Sequence, residues 1–470
     1  MNFKGISFYL SLFCFPISIL SFINILYASY FDYFLSIDTY FSTLIISLLI
    51  GLGFFYYGKN SKKDIDFIEQ LILVIISYFI TSLLIAIPFY LSNYQVTFVN
   101  SIFESVSGLT GTGFSIFKDI KYLDPTLILW RSSSQWFGGL FFLFFLIIIF
   151  SNKSFNYKMT NLSYSGDNSF KSEENIKDNL FKIFIIYSLL SIIILSLLNL
   201  TGVRLFNSLN MTMTLVSGGG FLPTESIDKI ISTNLQKIIL IFSLMISMFN
   251  FYLLFNIFNK NVLIKDHKED LYLFVLSIIF CLLIYFNNYQ GLDIIISVVS
   301  SLANSGLTLV ESNNNLSLYF LLITIIGGSL ISNSSGIKLT RIYILLKITS
   351  FEIIKLISPN SVINKTIFNS DKKISDDSVK ISFLIFISFF LGLFILSSLL
   401  VVDNIGFEKS FKLSILTLTN TVNSEMFDMQ NLNFSNLLTS SKISLILFMI
   451  IGKIELISIF LIIKKILFKD

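Results

Sequence analysis

Ser107-Gly108-Leu109-Thr110-Gly111-Thr112-Gly113-Phe114-Ser115 is a glycine- and hydroxyl-rich stretch set between two long apolar runs. Non-helical backbone cannot face hydrocarbon, because each unpaired polar group there costs several kcal/mol; at membrane depth such a loop must line water or a bound ion. Its carbonyls are then available as ligands. The rest of the chain predicts a scaffold that holds this loop and three relatives of it about one axis.

That scaffold is apolar almost throughout. Of 470 residues, 54% are hydrophobic, 13% are charged and 52 are Phe, and the mean hydropathy is +0.80. Soluble globular chains carry about a quarter charged residues, so the expected class is a polytopic protein of the lipid bilayer. Roughly ten runs reach the length of about 20 residues that a span needs. The first, 6–26, is too long for a signal-peptide core and lacks a small-residue cleavage site, which makes it a membrane helix. Lysines gather near 59–63, 153–177, 260–268, 365–373 and 464–469. By the positive-inside rule these segments, and with them both termini, are expected to be cytoplasmic. Lysines scattered between spans argue against a nucleic-acid partner. Cys14 and Cys281 stand far apart in apolar runs, with no metal or disulfide signal. The single His267 falls among Lys265, Asp266, Lys268 and Glu269 and is expected to be solvated.

Residues 6–30 and 41–57 form two spans with no charge at membrane depth, a lipid-facing scaffold. From residue 65 a unit recurs every hundred residues or so: a long apolar helix, a helix too short to span, a Gly/Ser/Thr loop, and a second long helix. The units comprise 71–90, 99–107 and 127–150; 182–198, 204–216 and 238–258; 271–286, 292–302 and 316–348; and 381–401, 411–418 and 443–468. The predicted fold is an all-α polytopic membrane protein: four pseudo-repeats of helix, re-entrant pore loop and helix around a central pore, preceded by two extra transmembrane helices. The divisions fall at 1–64 for that pair and at 65–160, 161–262, 263–375 and 376–470 for the four units. Hydrophilic stretches 151–179 and 350–379 are expected to be cytoplasmic linkers.

A cation crossing a bilayer exchanges its hydration shell for rings of backbone carbonyls that hold it without trapping it. Glycine suits such rings because it allows close backbone approach and conformations barred to other residues. The aligned positions are Thr112-Gly113-Phe114, Gly219-Gly220-Phe221, Ser305-Gly306-Leu307 and Val422-Asn423-Ser424. One glycine in a membrane helix is ordinarily a packing residue; glycine at matching points of three hairpins favours a filter. A second special stretch, Gly327-Gly328-Ser329-Leu330-Ile331-Ser332-Asn333-Ser334-Ser335-Gly336, interrupts the last helix of the third unit. Gly and Ser in series weaken a helix, and the backbone so released needs water or protein partners. Gly327, Gly328, Ser329, Ser332, Asn333, Ser334, Ser335 and Gly336 are therefore expected to form a mobile gate beneath the filter rather than a packed kink. Lys453 stands in an otherwise apolar helix, where a lysine costs roughly 2.5 to 3.5 kcal/mol unless it faces a cavity or a partner. Pointing into the path about 8 Å from an ion, it would repel that ion by about 2 kcal/mol at an effective dielectric near 20. The alternative is pairing with Glu455 or snorkelling to the interface.

Several of these segments together resemble the Trk, Ktr and HKT superfamily of potassium-translocating subunits, most closely the TrkH type. Phe103-Glu104-Ser105-Val106-Ser107-Gly108-Leu109-Thr110-Gly111-Thr112-Gly113 is similar to the family's first pore helix and filter, and Trp130-Arg131-Ser132-Ser133-Ser134-Gln135-Trp136-Phe137-Gly138-Gly139-Leu140 to the start of the next helix. Gly327-Gly328-Ser329 with Ser335-Gly336-Ile337-Lys338 and Arg341 resembles the intramembrane loop, and Ile451-Gly452-Lys453-Ile454-Glu455 the pore-facing element of the last helix. The resemblance covers about 66–467, and the two preceding helices suit the TrkH variant. It implies potassium bound at the filter carbonyls, potassium uptake across a bacterial plasma membrane, a homodimer with one pore per monomer, and a cytoplasmic nucleotide-binding partner of the TrkA or KtrA kind. ATP or NAD is then expected on that partner, since this chain has no phosphate-cradling motif and no cofactor of its own is expected.

Three features depart from the family pattern. Asn423 stands where the fourth filter is expected to carry glycine, with Glu425 close behind; Lys453 replaces an arginine, exchanging a planar five-donor cation for a compact one; and Asn333, Ser334 and Ser335 replace glycines. The first makes a sodium-permeable or weakly selective transporter the alternative. Two further classes remain: an intramembrane enzyme, which needs convergent acids, histidines or a metal where only isolated Glu104, Glu425 and Lys453 are found, and a scaffold subunit that has lost transport.

Overall fold

The computed structural model describes residues 2–61, 65–150, 176–258, 267–285, 291–309, 314–359, 366–368, 374–429 and 432–454. Among these, α1 (Phe3–Tyr30) and α2 (Phe34–Gly58) lie side by side ahead of the units. The first unit holds α3 (Phe67–Leu91), α4 (Phe98–Thr110) and α5 (Pro125–Phe150). The second holds α6 (Ile176–Leu200), α7 (Leu205–Ser217), α8 (Asn234–Met248) and α9 (Phe251–Phe258). The third holds α10 (Lys268–Tyr285), α11 (Leu292–Leu302), α12 (Asn314–Ile326) and α13 (Leu339–Ile357), and the fourth α14 (Asp376–Val402), α15 (Phe407–Leu418) and α16 (Thr439–Ile454). Among the described residues, five helices are long and apolar enough to cross a bilayer unbroken. The short helices α4, α7, α11 and α15, of 13, 13, 11 and 12 residues, are too short to span.

Side-chain caps fix several helix starts. The Thr97 hydroxyl accepts the Asn100 N–H at 3.4 Å to open α4. At α8, Thr233 and Gln236 cap each other reciprocally, at 3.3 and 3.1 Å. Between helices in lipid there is no hydrophobic gain, so small residues that permit close approach decide the packing. A Cβ on Gly138 would come within 2.0 Å of the Leu109 carbonyl, and one on Gly452 within 2.5 Å of the Leu418 carbonyl. Thus α5 and α16 cross the ends of α4 and α15 at the same kind of notch. Aromatic contacts join the leading pair to the first unit: Phe13 meets Phe141 edge-on at 4.6 Å, and Tyr40 lies 5.6 Å from Trp130.

Three details differ from the sequence expectations. The run 238–258 is broken into α8 and α9, because the backbone of another unit takes its hydrogen bonds: Ser329 N–H donates to the Met248 carbonyl at 3.0 Å and Phe251 N–H to the Ile331 carbonyl at 2.7 Å. Residues 350–357, placed in a linker by composition, continue α13. His267 is buried, with Nδ1 3.7 Å from Asp270 Oδ2, because the fold brings α10's first turn under the intramembrane loop. Of the last span expected at 443–468, residues up to 454 are described; 455–468, including Glu455, lie outside the described residues.

Candidate functional site

The four re-entrant helices end alike. Just past each helix one residue turns left-handed: Gly111 (φ 80°), Gly218 (70°), Asn304 (59°) and Asn420 (48°). Its N–H folds back onto the last turn, Gly111 to Gly108 at 3.0 Å, Gly218 to Leu215 at 3.1 Å, Asn304 to Ser301 at 3.2 Å and Asn420 to Thr417 at 3.2 Å. The following N–H reaches further back in three of the four: Gly219 to Thr214 at 2.9 Å, Ser305 to Ser300 at 3.1 Å, Thr421 to Leu416 at 2.9 Å. Glycine or asparagine is what a left-handed helix cap requires. The shared cap fixes a register: Thr112, Gly219, Ser305 and Thr421 are equivalent, and after them Gly113, Gly220, Gly306 and Val422.

Those last four residues meet. A Cβ built on Gly113 would lie 3.0 Å from Gly220 Cα and 3.1 Å from Val422 Cβ; on Gly220, 2.5 Å from Val422 Cβ and 2.8 Å from the Ser305 carbonyl; on Gly306, 2.8 Å from both Val422 Cγ1 and the Val422 carbonyl. The sequence alignment of the fourth loop is therefore corrected by one residue: Val422, not Asn423, occupies the glycine position. The chain has one fewer residue between helix end and loop than the sequence match assumed, and the cap at Asn420 reveals it. Asn423 turns its amide to the Met429 carbonyl at 3.4 Å within its own loop, and the Ser424 carbonyl accepts Phe427 N–H at 3.1 Å. Phe114 also departs from a simple ligand role, since the Ser107 hydroxyl donates to its carbonyl at 2.6 Å and its ring stacks on Phe434 at 4.7 Å. Phe221 N–H donates to Gln135 Oε1 at 3.2 Å, and Leu307 is buried. A cavity of about 510 Å³ opens on one side of the four loops, with Gly113, Gly220, Gly306 and Val422 in its lining and Glu225 and Asp228 among its acids.

Behind the first loop lies a buried ion pair. Arg131 Nε donates to Glu104 Oε1 at 2.8 Å. The other carboxylate oxygen accepts Ile116 N–H at 2.8 Å, and the Ser115 hydroxyl donates to Glu104 at 3.0 Å. The guanidinium also covers the Phe221 ring, 4.2 Å from its centroid, and so ties the first loop to the second.

On the other side of the ring runs the interruption between α12 and α13. It touches the ends of three re-entrant helices: Asn333 Nδ2 donates to the Val216 carbonyl at 2.8 Å, Asn304 Nδ2 donates to the Thr324 carbonyl beside it at 2.9 Å, and Ser335 Oγ lies 3.3 Å from the Asn420 amide. Its own serines bind it internally, Ser332 to Ser334 at 2.7 Å and Gly328 N–H to Ser334 Oγ at 3.0 Å. Ser329 holds α8 as described above, and Gly327 and Gly336 turn left-handed at φ 68° and 81° where the chain enters and leaves. Lys453 Nζ donates to the Asn333 carbonyl at 2.8 Å and stands 4.6 Å from the Phe142 ring centroid. The lysine's hydrogen-bond partner among the described residues is thus the loop itself.

Sequence reasoning named Lys338 beside the loop but missed the acidic anchors around it. Glu269 Oε1 accepts Leu330 N–H at 3.0 Å and the Thr340 hydroxyl, Asp270 accepts Asn250 N–H at 2.9 Å, and Lys338 Nζ donates to Ser332 Oγ at 3.1 Å and to the Ser334 carbonyl. Adjacent acids opening an apolar run were the available signal, obscured by the charged neighbours that made 265–270 look like surface. Asn304 and Asn420 were visible as well, as the residues best able to replace glycine in a left-handed cap.

The fold is that of a polytopic all-α membrane protein in which four equivalent loops meet. No protein-family model matches the chain. It is 26% identical to the Trk system potassium uptake protein TrkG of Escherichia coli over 454 residues, 90% of each chain, and 25% identical to TrkH of the same organism over 348 residues, 68% of this chain and 70% of that one. It is also 24% identical to an uncharacterized cation transporter of Methanocaldococcus jannaschii over 331 residues, 69% of each. The crystal structure of the potassium transporter TrkH from Vibrio parahaemolyticus superposes with a TM-score of 0.85 at 19% identity, covering 98% of both chains. Along most of its length the chain is thus similar to Trk-type potassium uptake subunits, and these relatives are transporters.

Proposed function

We propose that the chain carries potassium into the cell down its electrochemical gradient, through carbonyls at Gly113, Gly220, Gly306 and Val422. The observation that carries this reading is the convergence of those four residues from four separate hairpins. Rings of carbonyls replace a hydration shell, and the re-entrant helices direct their C-terminal ends, each bearing roughly half a negative charge, to the side where the intramembrane loop lies. That loop is the gate, and Lys453 is its latch: by holding the Asn333 carbonyl it keeps the loop under the helix ends and places a tethered ammonium where a cation would otherwise be stabilised. The names of the relatives supply potassium as the substrate. A regulatory nucleotide-binding partner of the TrkA or KtrA kind, a homodimer, a bacterial inner membrane and cytoplasmic termini belong to the same reading.

A weakly selective or sodium-permeable transporter is favoured by one observation, the valine at the fourth glycine position. Rubidium uptake into proteoliposomes holding the purified chain under an imposed potential tests both, with potassium or sodium as competitor. Block by potassium alone is expected; equal competition by sodium establishes weak selectivity. Absence of uptake both alone and with a TrkA-type partner leaves the scaffold class.

A further inference from the structure

We propose that Val422 is an apolar constriction in the ring that slows ion passage, one barrier in series with the intramembrane loop; this rests on the ring being the ion path. One side chain touches the glycines of all three other loops. Its Cβ or Cγ1 comes within 3.1 Å of the Cβ position of Gly113, 2.5 Å of that of Gly220 and 2.8 Å of that of Gly306. A single isopropyl group can reach three separate loops only from the space they enclose. It also lines the cavity with them.

The backbone explains why a valine is tolerated there. The chain is left-handed at Gly113 (φ 79°) and Gly306 (φ 70°), but neither Gly220 nor Val422 is among the residues with positive φ. A β-branched residue is a steric outlier only in the left-handed region, so the fourth loop has no need of glycine at this point. The other three positions do need it, because a Cβ on any of them would collide with Val422 or with the facing backbone.

Chemically, the isopropyl group offers an ion no oxygen. Apolar constrictions in pores impede ions by excluding the water that would accompany them, and a β-branched side chain has few rotamers into which to retreat. The Val422 carbonyl remains at the ring, 2.8 Å from the Gly306 Cβ position, so the side chain slows passage without removing the ligand.

The test is initial rubidium uptake by the full chain in proteoliposomes for Val422→Gly, Val422→Ala, Val422→Thr and Val422→Ile, each checked for monodisperse elution in detergent. Several-fold faster uptake is expected for Gly and Ala, in that order, and slower uptake for Ile. Thr keeps the shape but replaces a methyl with a hydroxyl; faster uptake than wild type is expected if wetting limits the rate. Unchanged or reduced uptake in well-folded Ala and Thr variants, with an active wild type, overturns the constriction and leaves the transport reading standing. A wild-type chain that carries no rubidium, with or without the regulatory partner, overturns the transport reading and this inference with it.

Discussion

Glu104 and Arg131 are both fully buried at 2.8 Å, and the carboxylate has further donors in Ile116 N–H and the Ser115 hydroxyl. Taking two charges out of water is costly, and removing one partner leaves the other uncompensated, typically at a cost of about 3–5 kcal/mol. Arg131→Met should therefore lower the unfolding temperature sharply in detergent. Adding Glu104→Gln should restore part of the loss, because glutamine keeps an acceptor for Ile116 N–H while removing the stranded charge. Thermal unfolding of the two single variants and the double variant decides it: simple additivity would mean that the pair is not coupled. A lysine at 131 should not substitute, since it lacks the planar fork that meets Glu104, Ser115 and the Phe221 face together.

The element that organises the inner side is the loop between α12 and α13, which borrows a hydrogen-bond partner from nearly every neighbour. Asn333→Gly removes its tie to the Val216 carbonyl but keeps the backbone carbonyl that Lys453 holds, so rubidium uptake should rise several-fold. Lys453→Met removes both latch and charge; repulsion of about 2 kcal/mol corresponds to a rise of roughly ten- to thirtyfold. Because both substitutions act on one loop, the double variant should fall short of the product of the two effects. Unchanged uptake in Lys453→Met would place the ammonium off the ion path. The existence of this loop was legible in its Gly and Ser run, as were the four hairpins in their spacing and the lysine in its apolar surroundings. What stayed hidden was set by tertiary contact. The break at Met248 exists because Ser329 takes its carbonyl, the burial of His267 and Asp270 depends on the loop above them, and the register of the fourth loop depends on a left-handed Asn420 that no local glycine announces.

At the scale of the molecule, sidedness ties the site to its direction. By the positive-inside rule the lysines near 59–63 and 365–373 lead us to expect the α2–α3 and α13–α14 connections inside. The α4–α5 and α15–α16 connections, which border the cavity at Lys118 and Asn433, then lie outside. On this topology an ion meets the open cavity first, then the four loops, and only afterwards the intramembrane loop with Lys453; inverted, it would meet the tethered charge on entry. Single cysteines in a background lacking Cys14 and Cys281 distinguish the two. A membrane-impermeant maleimide on intact cells should label Asp119→Cys and Asn436→Cys, whose positions are exposed, and should label Asn60→Cys and Ser358→Cys only after permeabilisation. The reverse pattern would turn the cavity inward, and the latch at Lys453 would then oppose entry from outside rather than passage onward to the cell interior.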